Sequence, residues 1–192
     1  MPKRKDPLIP EHYYHIFNRG INGEIVFRYD RNYHFFLRRI KQIITPNTAA
    51  IIVYVLMPTH YHLLVQINNT DFSSTMGRLI ISYTKACNRE WGRTGPLFEG
   101  RFKAKLVDSD EYILGLSRYI HLNPVSAHLV EKPSEWPYSN YLGLIGRKYN
   151  TLPATNFILS YFDQINPNIG YQQFVEEKPE DQVRNFKHLL FD

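Results

Sequence analysis

The sequence holds a single cysteine, Cys87, among 192 residues. An internal disulfide is therefore excluded, and so is a zinc site built on several thiolates. Cys87 reads as a small buried hydrophobe in a reducing compartment. Long apolar runs are missing too. The longest, Ala49 to Met57 (AAIIVYVLM), is far shorter than the roughly 18 residues of a membrane-spanning helix. The opening residues, MPKRKDPLIPEHYY, are basic with no apolar stretch behind the charge, so no secretory signal is expected there. No internal repeat or low-complexity tract is visible. These absences point to a cytoplasmic protein with no membrane partner. What is present is 43% hydrophobic and 15% aromatic residues. That supports one packed domain with an appendage and excludes global disorder.

The net charge of +5 is unevenly spread. Residues 1–130 carry 17 Lys and Arg against 10 Asp and Glu, and residues 131–192 carry 6 against 8. The first two-thirds would attract a polyanion and the last third would not. Nucleic acid is the commonest polyanion for such a protein.

Strand and helix patterns alternate along the chain. Residues 11–18 are aromatic and β-prone and end in the turn signal Asn18-Arg19-Gly20. Residues 30–44 place Tyr33, Phe36, Leu37, Ile40, Ile43 and Ile44 at helical spacing. The apolar run 49–57 reads as a central strand, broken at Pro58-Thr59, with 60–67 as its hairpin partner. Residues 71–91 form the clearest helix. Asp71, Ser73 or Ser74 can cap it, and Met76, Leu79, Ile80, Tyr83, Cys87 and Trp91 make its buried stripe. Residues 101–107 alternate like an edge strand. A third helix is predicted over 108–122, with Asp108 and Glu111 in capping-box positions and Asn123-Pro124 as its stop. The order β-α-β-β-α-β-α implies an α+β fold, a ferredoxin-like antiparallel sheet with helices packed on it. Residues 1–130 form the main domain. Residues 131–192 form a mostly helical C-terminal extension packing on it, with helical stretches near 153–163 and 179–190.

Three features carry chemistry. His60-Tyr61-His62 on a strand would aim both imidazoles at one face, where they could share a metal ion, and Tyr61 at the other. With eight histidines in the chain, a pair of satisfied hairpin histidines is the competing reading. Tyr119 and Asn123 lie four apart, one turn from each other on one helical face. A tyrosine oxygen can be a covalent nucleophile, and an amide oxygen is a hard ligand for a divalent ion. A core-edge tyrosine and a helix C-cap are the structural alternatives. Finally, a basic surface is expected from Arg78, Lys85 and Arg89, followed by Arg93, Arg101, Lys103 and Lys105. The aromatics Tyr83, Trp91, Phe98 and Phe102 lie nearby in sequence, and cations with stacking rings suit single-stranded nucleic acid, with an ordinary solvated face as the alternative. At the end of the first strand, His12, His15 and Arg19 read either as DNA contacts or as simple packing, and the basic N-terminal tail either adds phosphate contacts or, more often for such a tail, is disordered.

At these motifs the sequence resembles a known family. LMPTHYHLLV (Leu56 to Val65) is similar to the HUH motif of single-tyrosine transposases. FEGRFKAKLVDSDEYILGLSRYIHLNPV (Phe98 to Val125) is similar to the Arg-Phe strand and RYIHLNPV helix of REP-associated tyrosine transposases, the insertion-sequence-200-like group. HYYHIFNRG (His12 to Gly20) and EWPYSNY (Glu135 to Tyr141) also fit the pattern, with a looser match at YQQFV (Tyr171 to Val175). The resemblance implies metal ligands at His60, His62 and Asn123, and a nucleophile at Tyr119. Thr59 stands where Asn is common, and Tyr61 is bulkier than the usual middle residue.

The resemblance further implies cleavage and rejoining of single-stranded DNA through a 5′-phosphotyrosine, with Mg²⁺ or Mn²⁺. Partners would be hairpin-bearing, REP-like DNA, contacted by Arg19, Arg78, Lys85, Arg89, Arg101 and Lys103. Arg118 or His121 could favour the phenolate. Monomer and homodimer both stay open, with a slight lean to monomer. The rival readings are a non-catalytic single-stranded nucleic-acid-binding module, a metallohydrolase using a metal-bound water, and a domesticated relative serving its host.

Overall fold

The computed structural model describes residues 7–148 and 154–177. The basic N-terminal residues and the helical stretch expected near 179–190 lie outside this range. The main elements are β1 (Tyr13–Arg19), α1 (Asp30–Ile43), β2 (Ala49–Leu56), β3 (His60–Ile67), α2 (Phe72–Trp91), β4 (Lys103–Val107) and α3 (Asp110–Ser126). Three shorter helices follow: α4 (Tyr141–Leu144), α5 (Thr155–Leu159) and α6 (Pro167–Glu176). The four strands pair antiparallel in the order β2-β3-β1-β4. This is the α+β, ferredoxin-like arrangement expected, with a helical C-terminal part.

Side-chain alternation divides the interior into two cores. Tyr61, Leu63, Val65 and Ile67 of β3 join Tyr33, Phe36 and Ile40 of α1 and Met76, Leu79 and Tyr83 of α2 on one face. Leu64 joins Ile113, Leu116 and Ile120 of α3 on the other, with Tyr141, Ile158 and Tyr171 from the C-terminal helices. A bulge between Ile51 and Val53 turns both Ile52 and Val53 toward the α3 side. At the end of β1, a Cβ on Gly20 would meet the Glu24 carbonyl oxygen at 2.1 Å, so only glycine fits this turn. Gly92 closes α2 in the left-handed conformation, at φ 60°.

Four details differ from the sequence reading. β2 is an edge strand, despite its continuous apolar run. Its run is apolar because both faces are covered, and its outer edge is occupied by the C-terminal segment. The Leu56 amide donates to the Tyr138 carbonyl, the Tyr54 amide to Asn140 Oδ1, the Asn140 side chain to the Ile52 carbonyl and the Ala154 amide to the Ile51 carbonyl. Second, α3 does not stop at Asn123. It runs through Pro124 to Ser126, with the Ala127 amide donating to the Asn123 carbonyl. Proline disfavours helix before it without forbidding it, and here Asn123 and Pro124 are both buried by tertiary packing. Third, Ser109 caps α3 in place of Asp108, its Oγ accepting from the Tyr112 amide. Last, Asp71 sits at the N-cap of α2 with no side-chain cap bond, and the Ser74 hydroxyl instead donates to the Asp71 carbonyl.

Candidate active site

β3 is a central strand, so its residues are held from both sides. His60 and His62 project to the α3 face, and Tyr61 is fully buried on the other, beside Phe36 and Phe98. Because α3 continues through Asn123, Tyr119 and Asn123 keep helical spacing and meet the two imidazoles. His60 Nε2 lies 3.3 Å from Asn123 Oδ1. The His62 and Tyr119 rings meet edge to face at 5.6 Å, and the His60 and His62 rings at 5.0 Å. The Asn123 side chain also hydrogen-bonds the Tyr119 phenol in the sense that favours the phenolate. An amide N–H is its only donor, so Asn123 gives its N–H to the phenol and turns its oxygen to His60.

Burial dominates the electrostatics. It pushes the Tyr119 phenol up to about 12, against the opposing bond from Asn123. It lowers His60, and it lowers His62 strongly with help from repulsion by His60 and His15. Both rings are thereby held neutral, the form that ligates metal. His60 Nδ1 lies 2.9 Å from Thr59 Oγ1. Asn123 Oδ1 can only accept, so His60 Nε2–H donates to it here and His60 Nδ1 accepts from the Thr59 hydroxyl, with Thr59 standing in place of the usual Asn. Two imidazoles and an amide oxygen form a donor set that fits a divalent cation of intermediate hardness.

The other expected contacts fall in different places. His15 is not at a strand end facing solvent. It is fully buried, with Nε2 2.9 Å from His62 Nδ1, because cross-strand pairing turns it to the same face. His12 is exposed and bonds the Pro10 carbonyl. Arg19 pairs with Glu99 at 2.5 Å. Arg118 is buried, its guanidinium 5.4 Å from the centre of the Phe174 ring.

His121 is also buried, and its role is structural. Asn140 donates from Nδ2 to the Ile52 carbonyl, so its Oδ1 accepts from His121 Nε2–H at 3.1 Å. His121 Nδ1 then accepts from the Tyr171 hydroxyl at 2.7 Å. Burial lowers this ring to about 4 and keeps it neutral, so it is no cation for the phenolate. Asn140, Trp136 and Tyr138 of the EWPYSNY motif carried no stated role in the sequence. Trp136 donates to the Leu56 carbonyl, and Tyr138 stacks on Tyr33 at 3.6 Å.

The basic surface divides between the two sides of the sheet. Arg78, Lys85 and Arg89 are exposed on α2, away from Tyr119. Arg78, Lys85 and Arg101 rim an open groove of about 990 Å³ between α2 and residues 95–102, and among the described residues no acidic side chain lines it. Lys103 and Lys105 pair with Phe17 and His15, on the face of the histidines. Sequence order gave Lys105 no special place, and the strand register supplies it. Of the expected stacking aromatics, Tyr83 is fully buried, whereas Phe98 and Phe102 form part of the groove's lining while packing inward. Tyr83, Phe98 and Phe102 belong to the first core, and Arg28 lies 4.4 Å from the centre of the Trp91 ring.

A family model described as "Transposase IS200 like" matches residues 9–123, a span that includes His60, His62, Tyr119 and Asn123. The chain belongs to the IS200-like transposase family. Among curated proteins it is 30% identical over 105 residues to a Haemophilus influenzae protein named as a REP-associated tyrosine transposase. That match covers 49% of this chain and 58% of the relative, so the chain spans little more than half the relative's length. Among solved structures, a REP-associated tyrosine transposase bound to a REP hairpin shares the fold, with a TM-score of 0.64 at 19% identity. This likeness covers 79% of the present chain and 89% of the other. Among the described residues, no helix of this IS200-like transposase is long and apolar enough to cross a membrane.

Proposed function

We propose that this transposase cuts and rejoins single-stranded DNA bearing REP-like hairpins, through a 5′-phosphotyrosine formed on Tyr119. The observation that carries the reading is the convergence of Tyr119, His60, His62 and Asn123 on one face, from a central strand and one helix. A core-edge tyrosine and two packing histidines would not need an amide oriented toward both.

In the proposed reaction, the Tyr119 oxygen attacks the scissile phosphorus and loses its proton. The bond from phosphorus to the 3′ oxygen breaks, and that oxygen takes a proton. The phosphodiester is conserved as the phosphotyrosine ester. A 3′-hydroxyl later attacks it, releasing Tyr119 and resealing a strand. Asn123 orients the phenol and opposes the cost of ionising it in a buried place. Lys103 and Lys105 supply positive charge on the same face. His60, His62 and Asn123 would hold Mg²⁺ or Mn²⁺, whose chemistry is to polarise the phosphate. On the α2 side, Arg78, Lys85 and Arg101 form the phosphate-contacting rim, with Arg89 beside them.

The test is incubation with hairpin-bearing single-stranded oligonucleotides, with and without Mn²⁺. A metal-dependent covalent protein–DNA species is expected. Tyr119→Phe keeps DNA affinity and forms no such species. Metal-dependent cutting that persists in Tyr119→Phe would point instead to a metal-bound water. Binding without cutting by the wild-type protein would point to a recognition module.

A further inference from the structure

The contact between His15 and His62 has no part in the reaction just described, yet it is built with care. Both rings are fully buried, they stack at 5.0 Å with 25° between planes, and His15 Nε2 lies 2.9 Å from His62 Nδ1. His15 lies on β1, whose antiparallel register with β3 sets it diagonally from His62 and directly beside Leu64. Phe17 packs against both rings, at 4.6 Å from His15 and 5.9 Å from His62. Neither imidazole has room to turn away.

A neutral imidazole has one N–H, so a bond between two neutral rings has one direction at a time. If His15 Nε2–H donates, His62 carries its proton on Nε2 and that nitrogen has no lone pair for a cation. If His62 Nδ1–H donates, Nε2 is left as a ligand, and the proton of His15 sits on Nδ1.

We propose that His15 is a positioning residue, whose Nε2 accepts the Nδ1–H of His62 and so presents the Nε2 lone pair of His62 to a divalent cation. The inference rests on the reading of His60, His62 and Asn123 as metal ligands. Metal-bound imidazoles commonly donate their second N–H to a carboxylate, a carbonyl or water. A neutral imidazole in that place fixes the tautomer without adding negative charge. The cation's charge then stays available to a phosphate.

The test uses the full chain and Mn²⁺ alone, without DNA, in calorimetric titrations of wild type, His15→Phe, His15→Gln and His62→Ala. His15→Phe keeps the volume and removes the acceptor, and it should weaken Mn²⁺ by about 10- to 100-fold. His15→Gln can place an amide oxygen at the same distance from the backbone and should restore most of the loss. Unchanged affinity in His15→Phe, with affinity lost in His62→Ala, would overturn the positioning role alone. Unchanged affinity in His62→Ala would overturn the ligand reading and this inference with it. Should His15→Phe fail to fold, the wild-type protein decides. Loaded with Zn²⁺ as a diamagnetic probe, its side-chain nitrogen NMR should show the His62 proton on Nδ1, and a proton on Nε2 would refute the proposal.

Discussion

Asn140 shows how one buried side chain can hold distant parts of the chain together. Its amide serves the Tyr54 amide, the Ile52 carbonyl and His121 at once, joining the C-terminal segment to β2 and α3. Asn140→Leu leaves buried polar partners unpaired, and each such loss costs about 1–3 kcal/mol. The variant should therefore lose about 3 kcal/mol in urea unfolding, and a loss below about 1 kcal/mol would mean the network is not what secures the segment. The sequence displayed Asn140 and His121 inside recognisable motifs, but not what they do. Nothing in the spacing of RYIHLNPV distinguishes His121, which fastens two segments, from Tyr119, which faces His62. Only the helical phase around a packed core makes that distinction.

Among the elements, α3 repays comparison with its sequence. Its existence and type were legible in the sequence, as were β3 and the β2–β3 hairpin. Its ends were not, because an N-cap depends on which side chain reaches a free amide, and a proline's effect depends on what the surrounding packing can offset. Ser109→Ala should cost about 1 kcal/mol of stability and Asp108→Ala close to nothing. Thermal unfolding of the two variants separates them, and the reverse order would return the cap to Asp108. The placement of β2 at an edge was hidden for a similar reason. An apolar run reports burial on both faces, and it is silent on whether the covering comes from a strand or from residues far along the chain. On α2, the double variant Arg78→Gln/Lys85→Gln should reduce the salt dependence of single-stranded DNA binding by about 1.4 in log–log slope, from about 0.7 per phosphate contact. An unaltered slope would remove α2 from the DNA surface.

For the molecule as a whole, neutral histidines in two clusters make acid its weak side. Burial lowers His15 to about 3 and His121 to about 4, whereas each titrates near 6.5 in an unfolded chain. Between those limits the unfolded chain binds more protons. Stability is therefore full above pH 6.5 and declines as pH falls toward 4, by about 1.4 kcal/mol per pH unit for each ring. His60 and His62 are lowered as well and act in the same direction. Urea midpoints should drop steeply between pH 7 and pH 5, and a flat profile would mean these rings are solvated in the folded state.

The two faces of the sheet divide the proposed labour, with a cutting centre under α3 and a phosphate-binding rim on α2. The claim at the centre is that Tyr119 becomes joined to DNA. It is tested most directly by trapping the covalent species formed with hairpin-bearing single-stranded DNA and Mn²⁺, digesting it, and locating the modified residue by mass spectrometry. The account predicts a nucleotide on the peptide containing Tyr119, linked through a 5′ phosphate. A nucleotide on another residue, or efficient cleavage with no covalent species at all, would contradict it.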